Sequence, residues 1–192
     1  VLFLFSLVAR GDITFKDPAG DDYGPGKYKY PTNAVYKKGS FDILSVEMKE
    51  SGDDVEIEVK VGAKIEDPWK SKDWGGNGFS LQFVQIYIDQ KPKAGHCTAL
   101  PGINVAFEES AGWEKVILIS PQGKTRLLSE VKMKAKDVSK DVVIPKTTRA
   151  KGKTLTAVVS KSDLGGSLSD KWGYQVIMQS NEGYPDKKDL LT

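Results

Sequence analysis

Two scarcities remove much of the chemistry this chain could perform. Its 192 residues hold one cysteine, Cys97, and one histidine, His96. One cysteine excludes an intrachain disulfide and leaves cysteine usage silent about the redox compartment. With one histidine, any histidine-centred triad would depend on His96, and a neighbour such as Cys97 would point the opposite way if the pair lies on a strand. A nucleophile elbow, a phosphate-binding loop and zinc-ligand spacing are also missing from the sequence. Carboxylates are abundant, so counting alone leaves a two-carboxylate glycosidase open. They sit mainly at alternating strand positions that face solvent, and the chain reads as a protein that binds and is not an enzyme.

Charge of one sign is scarce as well. Lysine and arginine total 28 against 26 aspartate and glutamate, a formal net charge of +2. Such a balance argues against a nucleic-acid surface or a polybasic membrane patch, so nucleic acid is set aside as a partner. Lys132, Lys134, Lys136 and Lys140 read as a solvated strand face. Only one apolar run stands out, Val1 to Ala9, with Val1, Leu2, Phe3, Leu4, Phe5, Leu7 and Val8 as its large side chains. It has the length of a signal-peptide core and is too short for a transmembrane segment. The expectation is that it is retained as an ordered, buried β-strand over residues 1–10.

No stretch shows an apolar stripe at helical spacing over three turns, and 19 glycines with 9 prolines punctuate the chain heavily. Alternation is what the chain does have. Val55, Ile57, Val59 and Val61 alternate with Asp54, Glu56, Glu58 and Lys60, which predicts a strand with one wet face. The turn signal Glu50-Ser51-Gly52-Asp53 joins it to a strand over residues 41–48 as a β-hairpin. Further strands are predicted over residues 79–89, 105–107, 115–120, 124–128, 141–144, 154–160 and 172–180, with a helical turn at 162–165. Many short strands separated by turns predict an all-β, antiparallel β-sandwich. No internal repeat or low-complexity linker appears, so residues 1–192 are read as one domain.

Three ordered blocks carry a family resemblance. The first is Asp17-Pro18-Ala19-Gly20-Asp21-Asp22-Tyr23-Gly24-Pro25-Gly26-Lys27-Tyr28-Lys29-Tyr30-Pro31-Thr32, followed by Phe41-Asp42-Ile43. The second runs from Gly95 to Asn104 with Gly112-Trp113 after it, and the third leads from Trp172-Gly173-Tyr174 to Ser180-Asn181-Glu182-Gly183-Tyr184. Here the chain resembles the glucodextranase C-terminal domain and related modules of archaeal and bacterial surface proteins and pullulanases. The resemblance implies a DOMON-like, jelly-roll-like sandwich resembling carbohydrate-binding modules. It also implies a non-catalytic role in carbohydrate binding or cell-surface attachment, outside the cell or on its surface. The same fold has haem-binding relatives. A haem here would take His96 with Met48, Met133 or Met178 as axial ligands, and a Soret band would decide it.

Two candidate sites follow. Asp17, Asp21 and Asp22 share a loop bent by Pro18 and Gly20, and hard oxygen ligands converging in this way suit calcium. Relatives of the fold hold calcium near this loop, and Asp42 is a candidate fourth ligand. The competing reading is that the aspartates only cap the turn. For a glycan, the chemistry needed is an exposed aromatic plane beside carboxylates and amides. Trp69 and Trp74, with Asn77, occupy the polar loop 67–78 and are the chosen surface aromatics, with folding back over the sandwich edge as the alternative. Trp113 and Trp172 stand at strand starts and read as core.

A second functional class stays open beside the binding module. The segment Val1 to Ala9 could pair with an open sheet edge of a neighbouring copy, in a groove left where the chain stops at Thr192 and related modules continue into a further strand. Repeated head to tail, this would build a cell-surface filament or layer.

Overall fold

The computed structural model describes residues 12–23, 30 and 33–181. The expected N-terminal strand over residues 1–10, and with it Val1, Leu2, Phe3, Leu4, Phe5, Leu7 and Val8, lies outside the described residues.

Alternation along the chain becomes two stacked sheets. The first holds β1 (Ile13–Lys16), β2 (Ile43–Ser51), β3 (Asp54–Val61), β7 (Thr147–Lys151) and β8 (Thr154–Ser160), in the order β1-β2-β3-β8-β7. The second holds β4 (Gln82–Asp89), β5 (Lys115–Ile119), β6 (Val142–Val143) and β9 (Gly173–Ser180), in the order β6-β5-β4-β9. All the pairings are antiparallel except the short parallel contact of β5 with β6. The chain is thus an all-β sandwich. The expected hairpin is present, with Ser51 opposite Asp54 and a bulge near Ile43.

The two sheets differ in how many faces they bury. In β3 the odd positions Val55, Ile57, Val59 and Val61 are fully buried against the opposite sheet, whereas Glu56, Glu58 and Lys60 stay exposed. This is a sheet with one wet face. All eight residues of β4 are buried. Its Val84, Ile86 and Ile88 join the core between the sheets. Phe83 and Tyr87, on its other face, are sealed under Leu100, Ile103, Trp113, Leu127 and Val131. Trp113, read as core from the sequence, is 1% exposed, and Trp172 packs part-buried against the inter-sheet core.

The covering layer corrects three expectations. Residues 124–128 do not form a strand: they open the helix α1 (Lys124–Lys134). Lys132 and Lys134 lie on that helix, and Lys136 and Lys140 lie on the 3-10 turn Lys136–Asp141, so none of the four forms a strand face. The apolar stripe of α1 is short because the buried face takes Leu127, Glu130 and Val131, a carboxylate among the apolar residues, while Leu128 and Met133 point to solvent. Lys134 holds Glu130 at 3.0 Å, which lets the carboxylate sit in that stripe. Residues 105–107 also do not form a strand; the segment makes one isolated bridge, Thr98 with Ala106. The helical turn near 162–165 appears as α2 (Lys161–Leu164). Two edge strands were not anticipated, β1 and β7. In β7 the inward residues are only Thr148 and Ala150, too small and too few to register as an apolar face.

Candidate functional site

The tryptophan loop is a closed piece of stitching. A 3-10 turn at Ser71–Trp74 is held by Asp67, whose carboxylate accepts from the Ser71 amide at 2.8 and 3.0 Å and from the Ser71 hydroxyl at 2.9 Å. The Trp74 indole donates to Trp69 O at 3.0 Å. Asn77 donates from Nδ2 to Ser120 O at 2.8 Å and to Gln122 O at 3.0 Å, which pins the loop to the far end of β5. A side chain at Gly76 would bring its Cβ within 2.5 Å of Pro121 O and 2.8 Å of the Trp74 ring, so the approach requires glycine. Trp69 and Trp74 end about one-third exposed, at 36% and 38%. Each shows part of a ring face, while the Trp74 N–H and the Asn77 amide hydrogens are already spent.

From Trp69 a row of aromatic rings crosses the end of the sandwich. Trp69 meets Tyr36 at 6.2 Å, Tyr36 meets Phe41 at 5.3 Å, Phe41 meets Tyr30 at 5.7 Å, and Tyr30 meets Tyr23 at 5.2 Å between ring centroids. The inner rings, Tyr36 and Phe41, are buried. Tyr23, at the far end, is 66% exposed. Edge and tilted contacts of this kind hold each ring in a fixed plane.

Tyr23 stands on the rim of a groove of about 910 Å³. Strand β9 is its floor, through Gln175 to Ser180, and one wall comes from Asp17, Asp21 and Asp22 with Tyr30 and Phe41. The opposite wall runs from Gly102 to Glu108. Gln175 donates to Ala111 O at 3.0 Å and so ties the floor to that wall. Tyr30 is pushed up to about 12, first by burial and then by the Asp22 carboxylate nearby. The Tyr30 hydroxyl lies against the Asp22 carboxylate at the edge of the groove. Exposed and buried rings, carboxylates and amides therefore meet in one concave place, the arrangement typical of ligand sites. Sequence reasoning named three of its carboxylates and missed Tyr23, Glu108, Gln175 and Gln179. The alternation of Gln175, Ile177 and Gln179 on β9 was the available signal, since those residues face away from the inter-sheet core.

The acidic loop sits where that wall meets the sandwich. Asp42, 6% exposed, accepts from the Gly20 amide with both carboxylate oxygens, at 3.1 and 3.0 Å, and so closes the loop from behind. The close packing of Asp42 against Gly62 leaves no room for a larger residue there, since a Cβ at Gly62 would stand 2.8 Å from Asp42 Oδ2. Asp17 is raised from its ordinary value by burial, then by the charges of Asp21 and Asp42. The carboxylates are thus close enough to repel. Among the described residues no group of three or more His, Cys, Asp or Glu side chains is arranged to hold a metal ion.

The residues considered for haem are scattered. Met48 is fully buried between the sheets, Met133 is 66% exposed on α1, and Met178 lies on β9 packed against the inter-sheet core. His96 stacks on Trp113 at 4.6 Å and meets Asp141 at 3.0 Å, where Lys115 also approaches at 3.5 Å. Among the described residues no helix is long and apolar enough to cross a membrane.

Comparison with known proteins adds one match. The family model described as the C-terminal binding-module, SLH-like, of glucodextranase matches residues 13–189. No curated protein matches the chain.

Proposed function

Since the chain belongs to the family of the glucodextranase C-terminal binding module, we propose that it is a non-catalytic carbohydrate-binding module that acts outside the cell or at its surface. The groove along β9 is the observation that carries this reading. A pyranose offers an apolar face and a rim of hydroxyls, and Tyr23 with Gln175, Gln179, Glu108 and the loop aspartates offers a matching plane and polar partners. Trp69 and Trp74 supply a second, flatter contact at the other end of the aromatic row. Asn77 supports this contact by holding its loop.

Retention on insoluble polysaccharide tests the reading and separates the two contacts. Tyr23→Ala is expected to lose retention by at least about tenfold, the scale of one stacked ring in a site. Trp69→Ala with Trp74→Ala is expected to weaken binding further only for long chains. Undiminished retention of the Tyr23 variant would move the glycan to the tryptophan loop, and no retention of the unaltered protein on any glycan would end the reading.

Calcium at the loop of Asp17, Asp21 and Asp22 is proposed as a stabilising ion. Support comes from their mutual repulsion, which a cation would relieve. Asp42 would contribute by fixing the loop from behind, with its oxygens held by the Gly20 amide.

One observation favours a second reading, self-association into a filament. Strand β9 has eight residues without charge or proline, and among the described residues its outer edge has no partner strand. The other edges are blunted: β1 and β6 are short, and β7 carries Arg149 and Lys151. An apolar strand such as Val1 to Ala9 of a neighbouring copy would suit β9. Deleting residues 1–10 should then abolish polymers and leave a folded monomer, whereas a full-length protein that stays monomeric at high concentration would remove this reading.

A further inference from the structure

The groove described above carries a charge pattern that narrows its ligand. Asp17, Asp21, Asp22 and Glu108 line it, and among the described lining residues there is no lysine, arginine or histidine. The chain as a whole is balanced at a net charge of +2. Compensating cations stand elsewhere, with exposed Lys124, Arg126, Lys132 and Lys136 on and beside α1. Asp17 is raised by burial and then by the nearby charges of Asp21 and Asp42, so negative charge is concentrated at this wall. A further negative group brought into this space would meet like charge in a concavity where apolar walls of Ile103, Val105, Phe107 and Ile177 limit screening.

We infer that the groove, with no cation on its aspartates, selects glycans free of carboxylate, sulfate and phosphate groups and rejects their anionic counterparts. This rests on the carbohydrate-binding reading. The discrimination works by exclusion. Neutral hydroxyls donate to the carboxylates and gain charge-assisted hydrogen bonds, whereas a uronate or sulfate has no donor to offer at the same positions and is repelled by them. The acidic lining therefore serves both terms, attraction of the correct ligand and cost to the wrong one.

Matched polymers test this without changing the backbone of the ligand. A fluorescent oligosaccharide of dextran, amylose or cellulose, whichever neutral glucan the protein retains, is bound to the full chain in chelator, so that no calcium offsets the charge of the loop aspartates. It is then competed with the same unmodified glucan and with its carboxymethylated form. Competition reads the groove alone, so anionic polymer held at the lysines of α1 does not register. The carboxymethylated polymer is expected to displace the probe at least about tenfold less effectively than the neutral one. The combined change Asp21→Asn and Glu108→Gln, with its fold checked by melting, should bring the two competitors within about threefold. Equal displacement in the unaltered protein would overturn the inference and leave the carbohydrate reading standing. Unchanged discrimination in the double variant would overturn it too, since the preference would come from elsewhere. If none of the neutral glucans binds, the inference falls together with the reading it rests on. Displacement of the probe by an apolar peptide with the sequence of Val1 to Ala9, at a concentration where neutral glucan fails, would assign the groove to strand pairing.

Discussion

The tryptophan loop and the groove along β9 lie at two ends of one row of aromatic rings, yet they spend their polar atoms differently. In the loop, Asp67, Ser71, Asn77 and the Trp74 indole are bonded to the chain itself, and the side chains left over show only part of a face. In the groove, Tyr23 stands two-thirds exposed beside Asp21, Asp22 and Glu108 in a concave place. Rings, carboxylates and amides that converge on one concavity point to a ligand from outside. Exposure of an aromatic ring alone does not. The loop is stitched to itself, and the groove lies open.

This contrast breaks if removing a loop group costs binding alone. The largest expected effect is Asn77→Ala, which takes the donors from Ser120 O and Gln122 O at the buried end of β5. Stranding two buried carbonyls should cost about 2–3 kcal/mol and lower the melting temperature by roughly 5–10 °C. The counterpart in the groove, Tyr23→Ala, should stay within about 0.5 kcal/mol of the unaltered stability while weakening glycan retention. Chemical denaturation of the two variants side by side decides it. A stable Asn77 variant that has lost retention would return Asn77 to the ligand's side of the argument.

How much of this was legible beforehand follows from the physics of each element. Strands β3, β4, β8 and β9 announced themselves because apolar residues fall at every second position or, in β4, crowd together with only Gln85 between them, and burial of one or both faces is what those patterns record. Helix α1 did not, since Glu130 occupies its buried stripe and Leu128 and Met133 lie outside it, so the sequence has no clean helical period. Edge strand β7 presents Thr148 and Ala150 to the core, a pattern that a loop could equally carry. The acidic loop was legible as a cluster of charge. The groove was not, because its walls come from segments far apart in the chain, and only the pairing of β9 with β4 turns Gln175 and Gln179 toward Glu108 and Tyr23.

The finest comparison sets the acidic loop against the Glu50–Lys161 pair, two places where a carboxylate shifts in opposite directions. Asp17 is raised above 3.8 by burial and by Asp21 and Asp42. The folded chain then holds more protons than the unfolded one, so the contribution of Asp17 to stability falls as pH rises above 3.8 through the raised value. Glu50 is lowered from 4.5, first by its hydrogen bond with Lys161, so its contribution is present above 4.5 and is lost as pH falls through the lowered value. Calcium would reverse the first case. A bound cation favours the ionised carboxylate, which takes Asp17 below 3.8 and makes its contribution one that is lost on acidification. Melting temperatures from pH 3.5 to 6, measured for the unaltered protein and for Asp17→Asn, isolate this group, because Glu50 contributes equally to both and cancels in the difference. The effect is small, as the Asp17 carboxyl is only slightly desolvated and the residue as a whole is exposed to solvent. In chelator the unaltered protein should lose stability relative to the variant as pH rises, and in calcium it should gain. A difference of the same sign in both buffers would show that no calcium reaches Asp17 and would leave Asp21, Asp22 and Asp42 as turn chemistry.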